Sequence, residues 1–144
     1  MYASEIFRIV KTVESFGGIM SSDMLDMCKP NKFYIVNSDP SNKPGKHWFC
    51  VYLTSVPEFF DSLGHSPTYY SKDIERLLIQ NGPDYIYNSQ RLQNYDSILC
   101  GQYCIYYIIM RAMGYSINGI VNNFSKTHLK CNDQSIITFM NELF

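Results

Sequence analysis

The segment ILCGQYCIYYIIMRAMG, residues 98–114, constrains the fold more than any other part of the chain. Its apolar and aromatic side chains recur at helical spacing, which predicts a long helix buried at the centre of the molecule. A buried helix has no need of Cys100 followed by Gly101 in its first turn. The segment therefore predicts a central helix and raises the question of what the thiol at its start does.

Strand patterns precede this helix, and helical patterns flank them. The predicted strands are FYIVNS, HWFCVYLT, EFFDSL and DYIYNS, with a loop at 38–46 between the first two. Further helices are predicted at 5–14, 72–80, 116–124 and 133–143, with a short helical turn at 22–27. Ser4 and Ser71 are the expected N-caps of the helices at 5–14 and 72–80, and Gly17-Gly18 is the expected end of the first helix. Helices at both ends of a central strand cluster predict an α+β fold.

Length and charge limit the classes of function that this chain can have. The 144 residues suit one domain spanning 1–144. The 12 basic and 13 acidic residues give a formal net charge of −1, so nucleic acid is not expected as the main partner. The sequence contains no run of about 18 apolar residues, so no membrane span is expected. The charged N-terminal stretch lacks the apolar core of a signal peptide. We therefore expect no membrane partner.

The cysteines predict free thiols in a reducing intracellular compartment. Their number is odd, and their spacings match no zinc template, so neither a metal nor another cofactor is expected. Most are expected to be small buried hydrophobes. Cys104 follows Cys100 by one helical turn and is expected in the core, with a resolving thiol as the alternative. The five are Cys28, Cys50, Cys100, Cys104 and Cys131.

Cys100 occupies the position in the chain that best suits a nucleophilic thiol. The unpaired N–H groups and the dipole at the start of a helix favour the thiolate. Gly101 permits close approach of backbone or substrate and leaves the adjacent amides free to face a developing oxyanion. The alternative interpretation is a core cysteine at a helix end.

His47 and Asp61 are a candidate pair on neighbouring strands. A hairpin centred near Thr54 pairs position 47 with position 61 and places both side chains on one face of the sheet. An acid beside a histidine selects its tautomer and stabilises the imidazolium. A one-residue slip would separate the two side chains, which would leave a surface histidine and a turn aspartate. Asp96 stays open as an alternative acid.

Gln93 lies seven residues before Cys100, in SQRLQNYDSILC. Its uncharged amide can complete an oxyanion hole together with the backbone N–H of Cys100. A loop glutamine alone has no functional meaning, so this interpretation depends on the rest of the set.

The pieces GKHWFCVYL, EFFDSLGHSP and LQNYDSILCGQYC together resemble the adenovirus-protease-like cysteine peptidases, which are related to the proteases that cleave SUMO. The resemblance covers roughly residues 17–114 and includes the order His, acid, Gln, Cys. It implies a papain-like core in permuted order, with a mixed or antiparallel sheet flanked by helices. Because SSDMLDM and the following FYIVNSDPSNKPGKHW look like the upstream part of the virus and large-transposon branch, that branch is favoured.

The resemblance also implies the role of each candidate residue. Cys100 is the nucleophile, and His47 is the general base and then the acid. Asp61 orients His47, and Gln93 joins the oxyanion hole. Trp48 helps to wall the site.

The virus branch implies protein substrates, namely capsid or core precursors that are cleaved during maturation, and a location in the virion or the host cytoplasm. The resemblance also leaves an activating peptide or DNA as a further candidate partner. The competing enzyme functions are deconjugation of a ubiquitin-like modifier and acyl transfer. A capsid-associated module without catalytic activity is the competing function of another class.

Overall fold

Four of the five strands follow the first helix, and the later part of the chain is mostly helical. The computed structural model describes residues 1–143. The helices are α1 Ala3–Val10, α2 Pro67–Tyr70, α3 Lys72–Asn81, α4 Cys100–Ala112, α5 Ile117–Asn122 and α6 Leu129–Glu142, with a 3-10 turn at Leu25–Met27. The strands are β1 Phe16–Ser21, β2 Phe33–Asn37, β3 Trp48–Tyr52, β4 Glu58–Phe60 and β5 Ile86–Tyr87. Within residues 1–143, no helix has the length and apolar character that crossing a bilayer requires.

The five strands form one mixed sheet in sequential order. β1 runs parallel to β2, the pairs β2–β3 and β3–β4 are antiparallel, and β5 runs parallel to β4. The prediction of an α+β fold with a central sheet flanked by helices is confirmed.

Each face of the sheet is covered by helices. Because successive side chains of a strand point to opposite faces, β2 and β3 contribute to two separate apolar clusters. Towards α1, α4, α5 and α6, the sheet presents Ile35, Cys50 and Phe60. Towards α3, it presents Val36, Phe49, Val51 and Phe59, which pack with Ile74 and Leu78. The central strands are therefore apolar on both faces.

The structure corrects the predictions for the first thirty residues. α1 begins at Ala3 rather than at a Ser4 cap, and the Glu5 carboxylate accepts the N–H of Tyr2 at 2.7 Å. Gly17 and its neighbour lie inside β1 instead of ending a helix. A Cβ on Gly17 would lie 2.5 Å from the ring of Tyr34, so the glycine permits close packing of β1 on β2. This contact between strands is tertiary and has no local sequence signal.

The register of β3 and β4 also differs from the predicted register. Cys50 pairs with Phe60 and Tyr52 with Glu58, so the hairpin is centred one residue later than expected. Pro57, which has no N–H for the ladder, immediately precedes the last pair. If this register is continued along both strands, position 61 lies opposite position 49, two residues away from position 47. A shift of two keeps both side chains on the same face, so they are diagonal rather than direct neighbours.

Candidate active site

Cys100 is the first residue of α4 and is buried against the sheet. The imidazole of His47 and the backbone N–H groups of Trp48 and Gly101 surround its thiol. Burial raises the pKa of the thiol, but the hydrogen bond and positive charge of His47 and the two N–H groups outweigh it. The net pKa of Cys100 lies below its ordinary value. His47 and the neighbouring N–H groups therefore favour the thiolate.

His47 stands directly before β3, between Cys100 and Asp61. Its Nε2 lies 2.6 Å from Oδ1 of Asp61, which leaves Nδ1 for the thiol. Burial lowers the pKa of His47, but the hydrogen bonds and charges of Asp61 and Cys100 outweigh it and raise the pKa to about 9. The shifts of the thiol and the imidazole are opposite in direction, and both favour a thiolate–imidazolium pair.

Asp61 follows β4 and is fully buried. Besides His47, its Oδ1 accepts the N–H of Leu63 at 3.0 Å, while Oδ2 accepts the hydroxyl of Tyr70 at 2.6 Å and the N–H of His65 at 3.3 Å. Four donors thus surround a carboxylate that burial would otherwise disfavour. The arrangement fixes which carboxylate oxygen faces the imidazole.

The alternative acid, Asp96, lies elsewhere. Its side chain is exposed and accepts a hydrogen bond from Asn94 at 2.6 Å. The ring nitrogen Nε2 of His47 is bonded to Asp61 instead. The geometry therefore favours Asp61 over Asp96 as the partner of the histidine.

Tyr70 is part of the site and was not found by sequence reasoning. It ends α2, a four-residue helix begun by Pro67 that was not predicted. Its ring stacks on His47, with centroids 5.8 Å apart, and on Phe49 at 5.0 Å. Burial and the neighbouring Asp61 raise the pKa of Tyr70, so its hydroxyl stays a donor. No spacing rule connects a tyrosine in SPTYYS with the acid nine residues before it.

Asn88 and Ser62 support the same region and were also missed. The Asn88 side chain accepts the backbone N–H of Asp61 at 2.9 Å and donates to the backbone carbonyl of Asp61. The Ser62 hydroxyl donates to Oε1 of Gln93 at 2.6 Å. These buried hydrogen bonds couple the loop after β5 to the end of β4.

Gln93 is buried and lines the same cleft as Cys100. Because Ser62 donates to Oε1, the amide is oriented with Nε2 away from Ser62, and Nε2 donates to the carbonyl of Ser97 at 2.8 Å. A primary amide has two N–H donors. The second has no hydrogen-bond partner within residues 1–143.

Gly101 and Trp48 lie where α1, β3 and α4 meet. A Cβ on Gly101 would lie 3.2 Å from Ile6, 3.3 Å from Met1 and 3.4 Å from Trp48. The glycine therefore permits close packing, in addition to the use of its N–H by the thiol. Trp48 lines the cleft, and its indole N–H donates to the carbonyl of Met1 at 3.2 Å.

The cleft that contains these groups has a volume of about 800 Å³ and is open to solvent. Its lining includes His47, Gln93 and Cys100, and many of the other lining residues belong to two segments, 37–46 and 91–98. A cleft of this size suits a peptide segment or a ligand of similar size.

The other cysteines differ from Cys100 in environment. Burial raises the pKa of Cys28 to about 12, and burial with nearby negative charge raises the pKa of Cys50 and Cys104 well above the ordinary value. Cys104 lies in the core cluster beneath the site. Cys131 is exposed at the start of α6. Cys100 is thus the buried thiol whose surroundings favour ionisation.

Comparison with known proteins relates this fold to that of a protease. Six chains of solved structures match, among them a crystal structure of the ASFV pS273R protease, with a TM-score of 0.50 and 21% identity over 78% of this chain. The chain spans 44% of the length of that protease. No protein-family model matches. No curated protein matches either. The likeness shows a shared α+β fold.

Proposed function

We propose that this chain is a cysteine endopeptidase whose residues 1–144 form one catalytic domain. The observation that carries the proposal is the grouping of Cys100, His47 and Asp61 at the start of a buried helix. Nε2 of His47 lies 2.6 Å from Oδ1 of Asp61, the pKa of the thiol is lowered and that of the imidazole is raised. A buried histidine that served packing alone would have no reason to stand between a carboxylate and a thiol. The shared fold with a protease supports the same reaction class.

The reaction proceeds through an acyl-enzyme. The Cys100 thiolate attacks the scissile carbonyl, a C–S bond forms, and the oxyanion is held by the Cys100 N–H and by Nε2 of Gln93. The His47 imidazolium gives its proton to the leaving amine as the C–N bond breaks. Neutral His47 then takes a proton from water, which attacks the thioester and releases the acid and the thiolate. Asp61 holds the imidazole in the required tautomer throughout.

The substrates we propose are viral capsid or core precursor proteins, cleaved in the virion or the host cytoplasm. The motif resemblance to the virus branch and the likeness to the ASFV pS273R protease support this assignment. Deconjugation of a ubiquitin-like modifier proceeds through the same acyl-enzyme, so substrate choice distinguishes the two. Cleavage of a recombinant precursor, but not of a modifier fusion, is the expected result.

Alkylation of the thiols tests the chemistry without a known substrate. We expect iodoacetamide to modify Cys100 much faster than Cys131 near pH 6, as read by mass spectrometry of the modified peptides. The fast modification of Cys100 is lost in His47→Ala, whereas Cys131→Ala, as the control, leaves the rate of Cys100 unchanged. Equal rates for Cys100 in the wild type and in His47→Ala would contradict the proposal, as would precursor cleavage by Cys100→Ala.

A further inference from the structure

Arg91 is an anchored cation in the wall of the cleft. Its Nε donates to the backbone carbonyl of Gln93 at 2.8 Å, and its guanidinium carbon lies 4.0 Å from the ring centroid of Tyr95. These two contacts hold a side chain that would otherwise be mobile. Nη1 and Nη2 have no hydrogen bond or ion pair within residues 1–143. The free part of the guanidinium therefore stands ready for a planar acceptor.

The charge of the cleft differs from that of the chain. The whole sequence has a formal net charge of −1. The lysines and arginines that line the cleft are Lys43, Lys46 and Arg91, whereas the lining carboxylate is that of Asp39, which is buried. No ion pair within residues 1–143 joins any of these three cations to an acid. A site lined mainly by cations attracts negative groups and disfavours positive ones.

From these two observations we propose that Arg91 is a specificity residue that binds the carboxylate of an Asp or Glu side chain in the substrate, close to the scissile bond. This inference rests on the proposed peptidase function. The guanidinium offers two parallel N–H donors, which match a carboxylate in bidentate geometry. Lys43 and Lys46 on the 37–46 loop add attraction at longer range. The substrates are thus polypeptides with an acidic residue beside the cleavage site.

Two pools of short random peptides test the proposal, identical except for a fixed Glu or Gln and amidated at the C-terminus to remove that carboxylate. For the wild type, kcat/KM should be roughly tenfold higher for the Glu pool, the size expected for a charged hydrogen bond. Arg91→Gln should bring the Glu/Gln ratio close to one, and Arg91→Lys should give an intermediate ratio. Arg8→Gln, the same change at an exposed site on α1, keeps the wild-type ratio. Equal kcat/KM for both pools in the wild type overturns the proposal.

Binding separates this inference from the proposed reaction. In a titration of Cys100→Ala followed by fluorescence anisotropy, we expect tighter binding of the labelled Glu pool, and no preference in Cys100→Ala/Arg91→Gln. That outcome supports the role of Arg91 even if the wild type hydrolyses neither pool. Absence of hydrolysis would count against the proposed peptidase reaction and not against the role of Arg91 in binding. Equal binding of both pools overturns the role of Arg91. A third pool carries Gln and a free C-terminal carboxylate, and tighter binding of this pool than of the Glu pool overturns the role as well. The role is also overturned if a DNA oligonucleotide binds in an Arg91-dependent way while the peptides show no preference for Glu.

Discussion

Glu58 of β4 and Arg111 of α4 form a bidentate ion pair, with Oε1 accepting from Nε at 2.9 Å and Oε2 accepting from Nη2 at 2.8 Å. The hydroxyl of Tyr107 also donates to Oε1, at 2.6 Å. The pair connects the strand that leads to Asp61 with the helix that begins at Cys100. It therefore helps to set the distance between the two halves of the candidate site.

Loss of this ion pair should destabilise the protein. Arg111→Ala leaves the buried Glu58 carboxylate with Tyr107 as its donor, and removing one partner of a buried pair costs about 3 kcal/mol. Urea unfolding followed by circular dichroism measures the change in unfolding free energy. Arg8→Ala, at an exposed position of α1, serves as the control and should change the free energy little. A loss below about 1 kcal/mol for Arg111→Ala would show that the pair contributes little to stability.

Asp61→Asn should lower the pKa of His47 from about 9. The negative charge of Asp61, which opposes the lowering of this pKa by burial, is then removed. Peptidase activity should fall by on the order of 10²-fold or more, since the imidazole loses its orienting acceptor. The titration of the His47 ring by NMR and kcat/KM on a precursor substrate measure the two effects. Asp96→Asn, the matched change in the alternative acid, should alter neither. An unchanged His47 titration in Asp61→Asn would refute the assignment of the acid.

Tyr70→Phe should keep the ring packed on His47 while it removes a donor to the buried Asp61 carboxylate. A lost hydrogen bond to a charged group is worth about 1.5–3 kcal/mol, so we expect lower thermal stability and roughly tenfold lower kcat/KM. Tyr69→Phe is the matched control, because Tyr69 is adjacent in sequence and its side chain is largely exposed. Equal behaviour of the two variants would mean that the Tyr70 hydroxyl has no role at the site.

The pH profile of kcat/KM should be bell-shaped. As pH rises through the lowered pKa of Cys100, the thiolate forms and activity increases. As pH rises further through about 9, His47 loses the proton that the leaving amine needs, and activity falls. Initial rates across pH 4–11 measure both limbs, each condition being checked for intact fold. An alkaline limb near pH 6.5, the ordinary value for a histidine, would argue against the ion pair with Asp61.

Gln93→Ala should lower kcat by on the order of 10²–10³-fold with little change in KM, as expected for a donor that acts on the oxyanion. Ser62→Ala should act in the same direction but less strongly, because Gln93 then loses the donor that orients its amide. In a double variant the two effects should not add, since Ser62 acts through Gln93. Additive losses would indicate separate roles.

Local patterns predicted much of the fold. Helix α3 is capped by the Ser71 hydroxyl, which accepts the N–H of Asp73 at 3.0 Å, as its sequence indicated. The pattern at 98–114 located α4 because its periodicity covers several turns. Strands β2 and β3 were found because their apolar runs lie between turn residues. The short helix α2 was missed, because a four-residue helix has too few positions to show periodicity.

The candidate site was predicted in part. Residues that belong to sequence motifs were found, and residues that join the site only through contacts distant in sequence were missed. His47, Asp61, Gln93 and Cys100 were selected from motifs, and the structure brings them to one cleft, where their roles stay predictions. Tyr70, Ser62 and Asn88 could not be selected, because their side-chain hydrogen bonds reach across a distance in sequence that no motif specifies.

The sequence by itself determined the helices and strands with clear periodicity, the helix-start position of Cys100, and the order of the residues that bear chemistry. These features depend on neighbours within a few turns or one strand. The tertiary structure decided the β3–β4 register, the strand at Phe16–Ser21, the four donors around Asp61 and the opposite pKa shifts of Cys100 and His47. A register depends on packing between strands, and a pKa depends on burial and charges from distant segments, so neither exists until the chain has folded.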